Sequence, residues 1–211
     1  YGKSLYGQCE TLLNKIKEIS IEQEQFEHLA FALLLQRNIN LKKDFLGISE
    51  NQFSGVYREI DEALEISKKI NRISELSSKV VFISRKTGVI RNAHQRKKYS
   101  VIFKDPLLKT PPAPTATSVE KKEFNKAYIV YGYAKGDAKM SYEYARKNIA
   151  LTEAEFEKKK GDFIGYTNML INYSAYCSIN KKFGESLKTI QKLRATCKTF
   201  KKKLPQYLIV P

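Results

Sequence analysis

Few side chains in this 211-residue sequence combine the reactivity and the spacing that catalysis or metal binding requires. Of the two histidines, His28 follows Glu24 by four residues, so on a helix both would face one metal ion. No third ligand falls in register with them, and a partly buried histidine with a helical neighbour is the plainer reading. His94 stands in a basic stretch and is expected in solvent. The three cysteines, Cys9, Cys177 and Cys197, occur in no CxxC or CxxH spacing and cannot all pair. Each falls at an apolar position of a helical pattern, where buried free thiols are expected. That usage favours a reducing compartment, so the cytoplasm is the expected location. No Gly-rich phosphate loop, GxSxG or HExxH motif occurs. Carboxylate pairs such as Glu59 and Glu62 have the spacing of a solvated helix face. The expectation is a chain that is not an enzyme, with no catalytic residue, no metal site and no cofactor.

Charge is the stronger signal: 38 Lys and Arg against 22 Asp and Glu leave a net charge of +16. A surface this basic attracts polyanions or acidic peptides and repels copies of itself. Between Leu76 and Lys104 stand eight basic residues and no acidic one. Within it Arg91, Arg96, Lys97 and Lys98 are candidate phosphate contacts, with Tyr99 and Phe103 offering rings for base stacking. The competing reading makes Val80, Val81, Phe82, Ile83, Val101 and Ile102 core residues behind a charged outer face. A coding sequence rich in A and T also enriches Lys, Ile and Asn without any functional demand.

Positioning these residues falls to helices. Glycine (10) and proline (6) are few, and four prolines cluster at Pro106, Pro111, Pro112 and Pro114. Leu5, Cys9, Leu12, Ile16 and Ile19 recur at intervals of three and four, which predicts one buried stripe on a first helix. A second carries Phe26, Leu29, Ala30, Leu33 and Leu34, with Glu22, Glu24 and Glu27 near its start. Ser49-Glu50-Asn51-Gln52 reads as the capped start of a third, with Phe53, Val56, Tyr57, Ile60, Ala63, Leu64 and Ser67 inward. A fourth is expected near Ile73 with Leu76, Val80 and Ile83; the β-branched run Val80–Ile83 is kept helical. The segment from Lys109 to Ser118 is an extended loop. Ser118 is the expected N-cap of a fifth helix, with an incomplete capping box because Lys121 stands three residues on. That helix turns inward Phe124, Ala127, Tyr128 and Tyr131. After the turn Lys135-Gly136-Asp137 a sixth carries Ser141, Tyr142, Ala145, Asn148, Ile149 and Thr152 and runs on through Lys160. Beyond a turn at Gly161-Asp162, Tyr166, Leu170, Tyr173 and Cys177 mark a seventh helix. Phe183, Leu187, Ile190, Leu193 and Cys197 mark an eighth.

The last two hairpins superimpose with an offset of 45 residues: Lys135-Gly136-Asp137-Ala138 falls on Asn180-Lys181-Lys182-Phe183, Ser141 on Ser186, and Ala145 on Ile190. Asn172-Tyr173-Ser174-x-x-Cys177 followed by Phe183-x-x-Ser186 resembles the tetratricopeptide signature. Ser174 and Ser186 stand where that family places small residues at the helix crossing. The resemblance covers Glu120–Phe200 and extends to tetratricopeptide-like proteins of Bacteroidetes. It departs from the family in its longer interval, against the usual ~34 residues, and in lacking Trp and a helix-ending Pro. It implies an all-α fold of about eight helices, antiparallel hairpins stacked as a right-handed superhelix. One domain, 1–211, would comprise degenerate hairpins (1–105), a Pro-rich connection (106–117), two tetratricopeptide-like hairpins (118–203) and a tail (204–211).

By the same resemblance Tyr133 lies on the groove-facing side of its helix, with Lys126, Asn168, Asn172 and Ser178 near the same surface. Such a basic, amide-lined groove suits an extended acidic peptide or a terminal carboxylate. The expected function is therefore a protein- or peptide-binding scaffold. A nucleic-acid-associated basic repeat, or a sensor domain of a longer protein, is the alternative. No apolar run reaches the 18 residues of a membrane span. The chain begins at Tyr1 rather than Met, as a piece cut from a longer protein would.

Overall fold

The computed structural model describes residues 2–159 and 162–200, and the regular elements among them are all helices. In chain order these are α1 (Gly2–Glu22), α2 (Phe26–Lys42), α3 (Glu50–Thr87), α4 (Ala93–Ile102), α5 (Pro106–Lys109), α6 (Ser118–Lys135), α7 (Ala138–Lys159), α8 (Phe163–Ile179) and α9 (Phe183–Thr199). The expected run of the sixth helix through Lys160, the turn at Gly161 and the tail 204–211 lie outside the described residues. No described helix is long and apolar enough to cross a membrane.

The chain divides into two compact units, one up to Arg72 and one from Ile73 onward. The division falls inside α3, away from the prolines. Two expected helices merge there into one of 38 residues, because Lys68-Lys69-Ile70-Asn71-Arg72 contains neither Gly nor Pro to break it. The capped start at Ser49 is present: Ser49 N donates to Gln52 Oε1 at 2.9 Å and Gln52 N donates to Ser49 Oγ at 3.3 Å.

In the first unit α1 and α2 pack together, and Leu29, Ala30 and Leu33 of α2 meet Ile60 and Ala63 of α3 in one core. The α1 stripe expected in that core is outside it. Leu5, Leu12, Ile16 and Ile19 are exposed, as is Cys9, while Leu13 and Ser20 of α1 are buried. Phe53, Tyr57 and Leu64 of α3, also expected inward, are exposed. Of the carboxylates expected at the start of α2, Glu27 alone stands in its first turn; Glu22 closes α1 and Glu24 sits in the connecting turn at φ 54°.

The second unit starts from an aromatic core. Ile73, Leu76 and Val80 of α3 pack with Tyr99, Leu108, Phe124, Ala127 and Ala134, and Val80 is helical as expected. Phe82 and Val101 are exposed, against the expectation that they are core. The proline stretch is not wholly a loop. Pro106 occupies the first turn of α5, where its missing N–H costs nothing. Asp105 caps that turn by accepting from Leu107 N at 3.1 Å. Leu108 is fully buried there, and Tyr128 O–H donates to its carbonyl at 2.8 Å.

The cap of α6 is Thr117 rather than Ser118. Thr117 Oγ1 accepts from Glu120 N at 3.1 Å and Glu120 accepts from Thr117 N at 3.0 Å, so the capping box is complete.

Candidate functional site

The α6–α7 and α8–α9 hairpins are built on the same bonds. Ser141 Oγ donates to the Ile129 carbonyl at 3.0 Å, and Ser186 Oγ donates to the Ser174 carbonyl at 3.1 Å. Donor and acceptor both move by 45 residues between the two pairs. The turns repeat as well: Asp137 N donates to Gly132 O and Lys182 N to Cys177 O, each at 2.8 Å. Gly136 at φ 75° is matched by Lys181 at φ 57°. In the first hairpin Gly132 allows the close crossing, since a Cβ there would meet Ser141 Oγ at 2.6 Å and Ser141 N at 2.9 Å. In the sequence Gly132 carried no signal beyond its being a glycine within a helical run.

Between the hairpins, Ile129, Ala145, Ile149, Tyr166, Leu170, Tyr173 and Cys177 form one core. Burial pushes the Cys177 thiol above its ordinary pKa. The expected apolar stripe of α9 is only partly inside, because Phe183 and Leu187 are exposed while Ser186, Thr189 and Thr196 are buried. Thr189 and Thr196 donate to carbonyls four residues back, at 2.8 and 2.9 Å, so their hydroxyls need no solvent.

The five groove candidates divide. Tyr133 is exposed at the end of α6, close enough to Tyr176 of α8 to raise its pKa further after burial. Asn168 and Asn172 are exposed and four residues apart, hence on one face of α8. Exposed Ile171 lies beside them in sequence. Ser178 is committed elsewhere: its hydroxyl shares a 2.9 Å hydrogen bond with Ser186 Oγ at the hairpin crossing. Lys126 lies two turns before Tyr133 and is tied to Glu123 at 3.2 Å, and Glu123 accepts a short bond from Ser77 of α3. The structure thus leaves Tyr133 exposed at the end of α6 and brings Asn168 and Asn172 to one face of α8. Ser178 is exposed as well, but its hydroxyl is engaged with Ser186 at the hairpin crossing.

Two clefts of the second unit involve the other helix of each hairpin. One, of about 530 Å³, lies between Pro111–Pro114 and Phe124, Tyr144 and Leu151, with Lys121 and Lys147 among its lining residues. The other, of about 310 Å³, lies among α7, α8 and α9 and holds Glu185. Hydroxyls of Tyr142, at 2.6 Å, and Tyr173 both donate to Glu185, and with Arg146 nearby they hold its carboxyl below the usual range. Tyr173, buried and bonded to that carboxylate, is held strongly in its protonated form.

The polyanion candidates Arg91, Arg96, Lys97 and Lys98 are all exposed. Their stacking partners are not available: Tyr99 is fully buried, and Phe103 packs on Tyr128 and Tyr131 at centroid distances of 5.0 and 4.6 Å. Glu24 and His28, whose spacing would set both on one helix face, do not share a helix because Glu24 precedes α2; His28, expected to be partly buried, is exposed and bonds Gln25 Oε1 at 2.7 Å. Among the described residues no group of three or more His, Cys, Asp or Glu side chains is placed to hold a metal. Comparison with protein-family models, curated proteins and solved structures finds no match.

Proposed function

We propose that this chain is a non-catalytic scaffold of stacked helical hairpins, of the tetratricopeptide type with its right-handed superhelix, that binds an extended acidic peptide along α6 and α8. The observation that carries the reading is the recurrence of the hydroxyl-to-carbonyl bond at Ser141 and Ser186, 45 residues apart. A hairpin that repeats its crossing geometry stacks on its neighbour and aligns their first helices into one surface. Tyr133, Asn168 and Asn172 are exposed on those two helices, with Lys135 and Ser178 also at their surface. Asparagine amides can pair with a peptide backbone, tyrosine adds ring area and a hydroxyl, and the net charge of +16 favours an acidic ligand. Selection of a displayed peptide library enriched in Asp and Glu against the whole chain tests this. The expected result is peptides whose affinity, read by fluorescence anisotropy, falls at least about tenfold, roughly 1.4 kcal/mol, in Tyr133→Ala/Asn172→Ala. Equal binding by that variant refutes the site.

A second reading, association with nucleic acid, rests on Arg96, Lys97 and Lys98, which stand exposed on α4 and make no ion pair with a described residue. Burial of Tyr99 restricts this reading to phosphate contacts. It requires that replacing all three by alanine lower the salt slope of single-strand binding by about 0.7 per lost contact. Unchanged binding would remove it.

A further inference from the structure

We propose that the exposed stripe of α1 is the seam of a parallel homodimer, α1 of one copy packing against α1 of a second. Leu5, Leu12, Ile16 and Ile19 are 63%, 59%, 43% and 57% exposed, and Cys9 is exposed between them. The helix already spends a different face on its own unit, through Leu13 and Ser20, at 5% and 3% exposure. The face that α1 buries needs none of Leu5, Cys9, Leu12, Ile16 and Ile19, so a whole apolar stripe is left over. A contiguous apolar stripe left in water marks an interaction surface.

The spacing indicates the shape of the occupant. Steps of four, three, four and three from Leu5 to Ile19 make a heptad seam with Leu5, Leu12 and Ile19 at d and Cys9 and Ile16 at a. A 3.5-residue period keeps such a seam facing a second helix, and Ile at a beside Leu at d suits two strands.

The charges indicate that this helix is a second copy. Lys3, Lys15 and Lys17 balance Glu10, Glu18 and Glu22, so α1 is neutral in a chain of net charge +16. Repulsion between copies is therefore least along this helix. Lys17 and Glu10 are also already paired within the unit, to Glu59 at 3.5 Å and Lys43 at 2.6 Å.

The register follows from the length of the seam. Antiparallel alignments that mate a with d leave either Leu5 opposite Gln23 or Ile19 opposite Gly2. The parallel alignment matches all five seam residues with their counterparts and brings the two Cys9 thiols together.

The test is the molar mass of the whole chain by sedimentation and light scattering from low to high micromolar concentration. The wild type runs as a dimer. Leu12→Asp/Ile16→Asp runs as a monomer with unchanged far-ultraviolet circular dichroism, because both positions face solvent in the folded unit. Phe183→Asp, at an exposed apolar position of α9, remains dimeric. A short bismaleimide links wild-type dimers, and the link disappears in Cys9→Ser. A monomeric wild type, a dimer that survives the double substitution, a dimer lost through Phe183→Asp, or a dimer that Cys9 does not cross-link overturns the proposal.

Discussion

Gly136 and Lys181 occupy the same turn in two hairpins, so exchanging their chemistry measures the backbone alone. Gly136 sits at φ 75° with no atom within 4 Å of an added Cβ. Gly136→Ala therefore meets no steric wall, only the left-handed backbone, which costs an L-residue about 1–2 kcal/mol. Loss of chain entropy in the unfolded state returns about 0.4–1 kcal/mol. The net expectation is a destabilisation of roughly 1 kcal/mol. Lys181 already carries the left-handed cost at φ 57°, so Lys181→Gly should stabilise by up to about 1 kcal/mol. Gly136→Lys combined with Lys181→Gly should then lie near the wild type. Urea denaturation followed by far-ultraviolet circular dichroism reads these as shifts of midpoint at constant slope. A neutral Gly136→Ala, or a Lys181→Gly that destabilises, would refute the equivalence of the two turns.

Gly132→Ala drives a Cβ to 2.6 Å from Ser141 Oγ; overpacking of about 1–3 kcal/mol exceeds the roughly 1 kcal/mol of helix propensity gained, so the urea midpoint should fall. For Glu185, whose folded pKa is depressed by Tyr142 and Tyr173, stability is present above the ordinary carboxylate value of about 4.3. It is lost as pH falls through the depressed folded value. The midpoint difference between wild type and Glu185→Gln should therefore close in acid, and a difference independent of pH would contradict the assigned bonds. Replacing Arg96, Lys97 and Lys98 by alanine should leave the melting temperature nearly unchanged, within about 0.5 kcal/mol of stability, because all three are exposed.

Helix α8 was legible from the sequence because its interior positions are large and apolar: Tyr166, Leu170, Tyr173 and Cys177 are all buried as the spacing predicts. Helix α9 misled because its interior positions are Ser186, Thr189 and Thr196. Hydroxyls satisfied within the hairpin pack like small apolar groups, yet they count as polar in a hydrophobic pattern. Helix α1 misled in the opposite way, since its more regular stripe faces solvent. Periodicity identifies an apolar face without identifying what covers it.

The α6 cap was missed by one residue. Thr117 and Ser118 can both cap, and Glu120 three residues after Thr117 decides between them. Among the site residues, Tyr133, Asn168 and Asn172 were placed at a surface by the resemblance, and all three are exposed. The commitment of Ser178 to Ser186 is a contact between helices that no local pattern records. The burial of Tyr99 likewise depends on Tyr131, 32 residues on, at a centroid distance of 5.4 Å.

The scaffold reading is tested most directly by where a bound peptide touches the chain. A photoreactive benzoylphenylalanine placed at Asn172 or at Lys97, irradiated with a peptide selected on the wild type, separates the α8 surface from the basic helix α4. The account predicts a covalent adduct from position 172 and none from position 97. An adduct from position 97 with none from position 172 would contradict it.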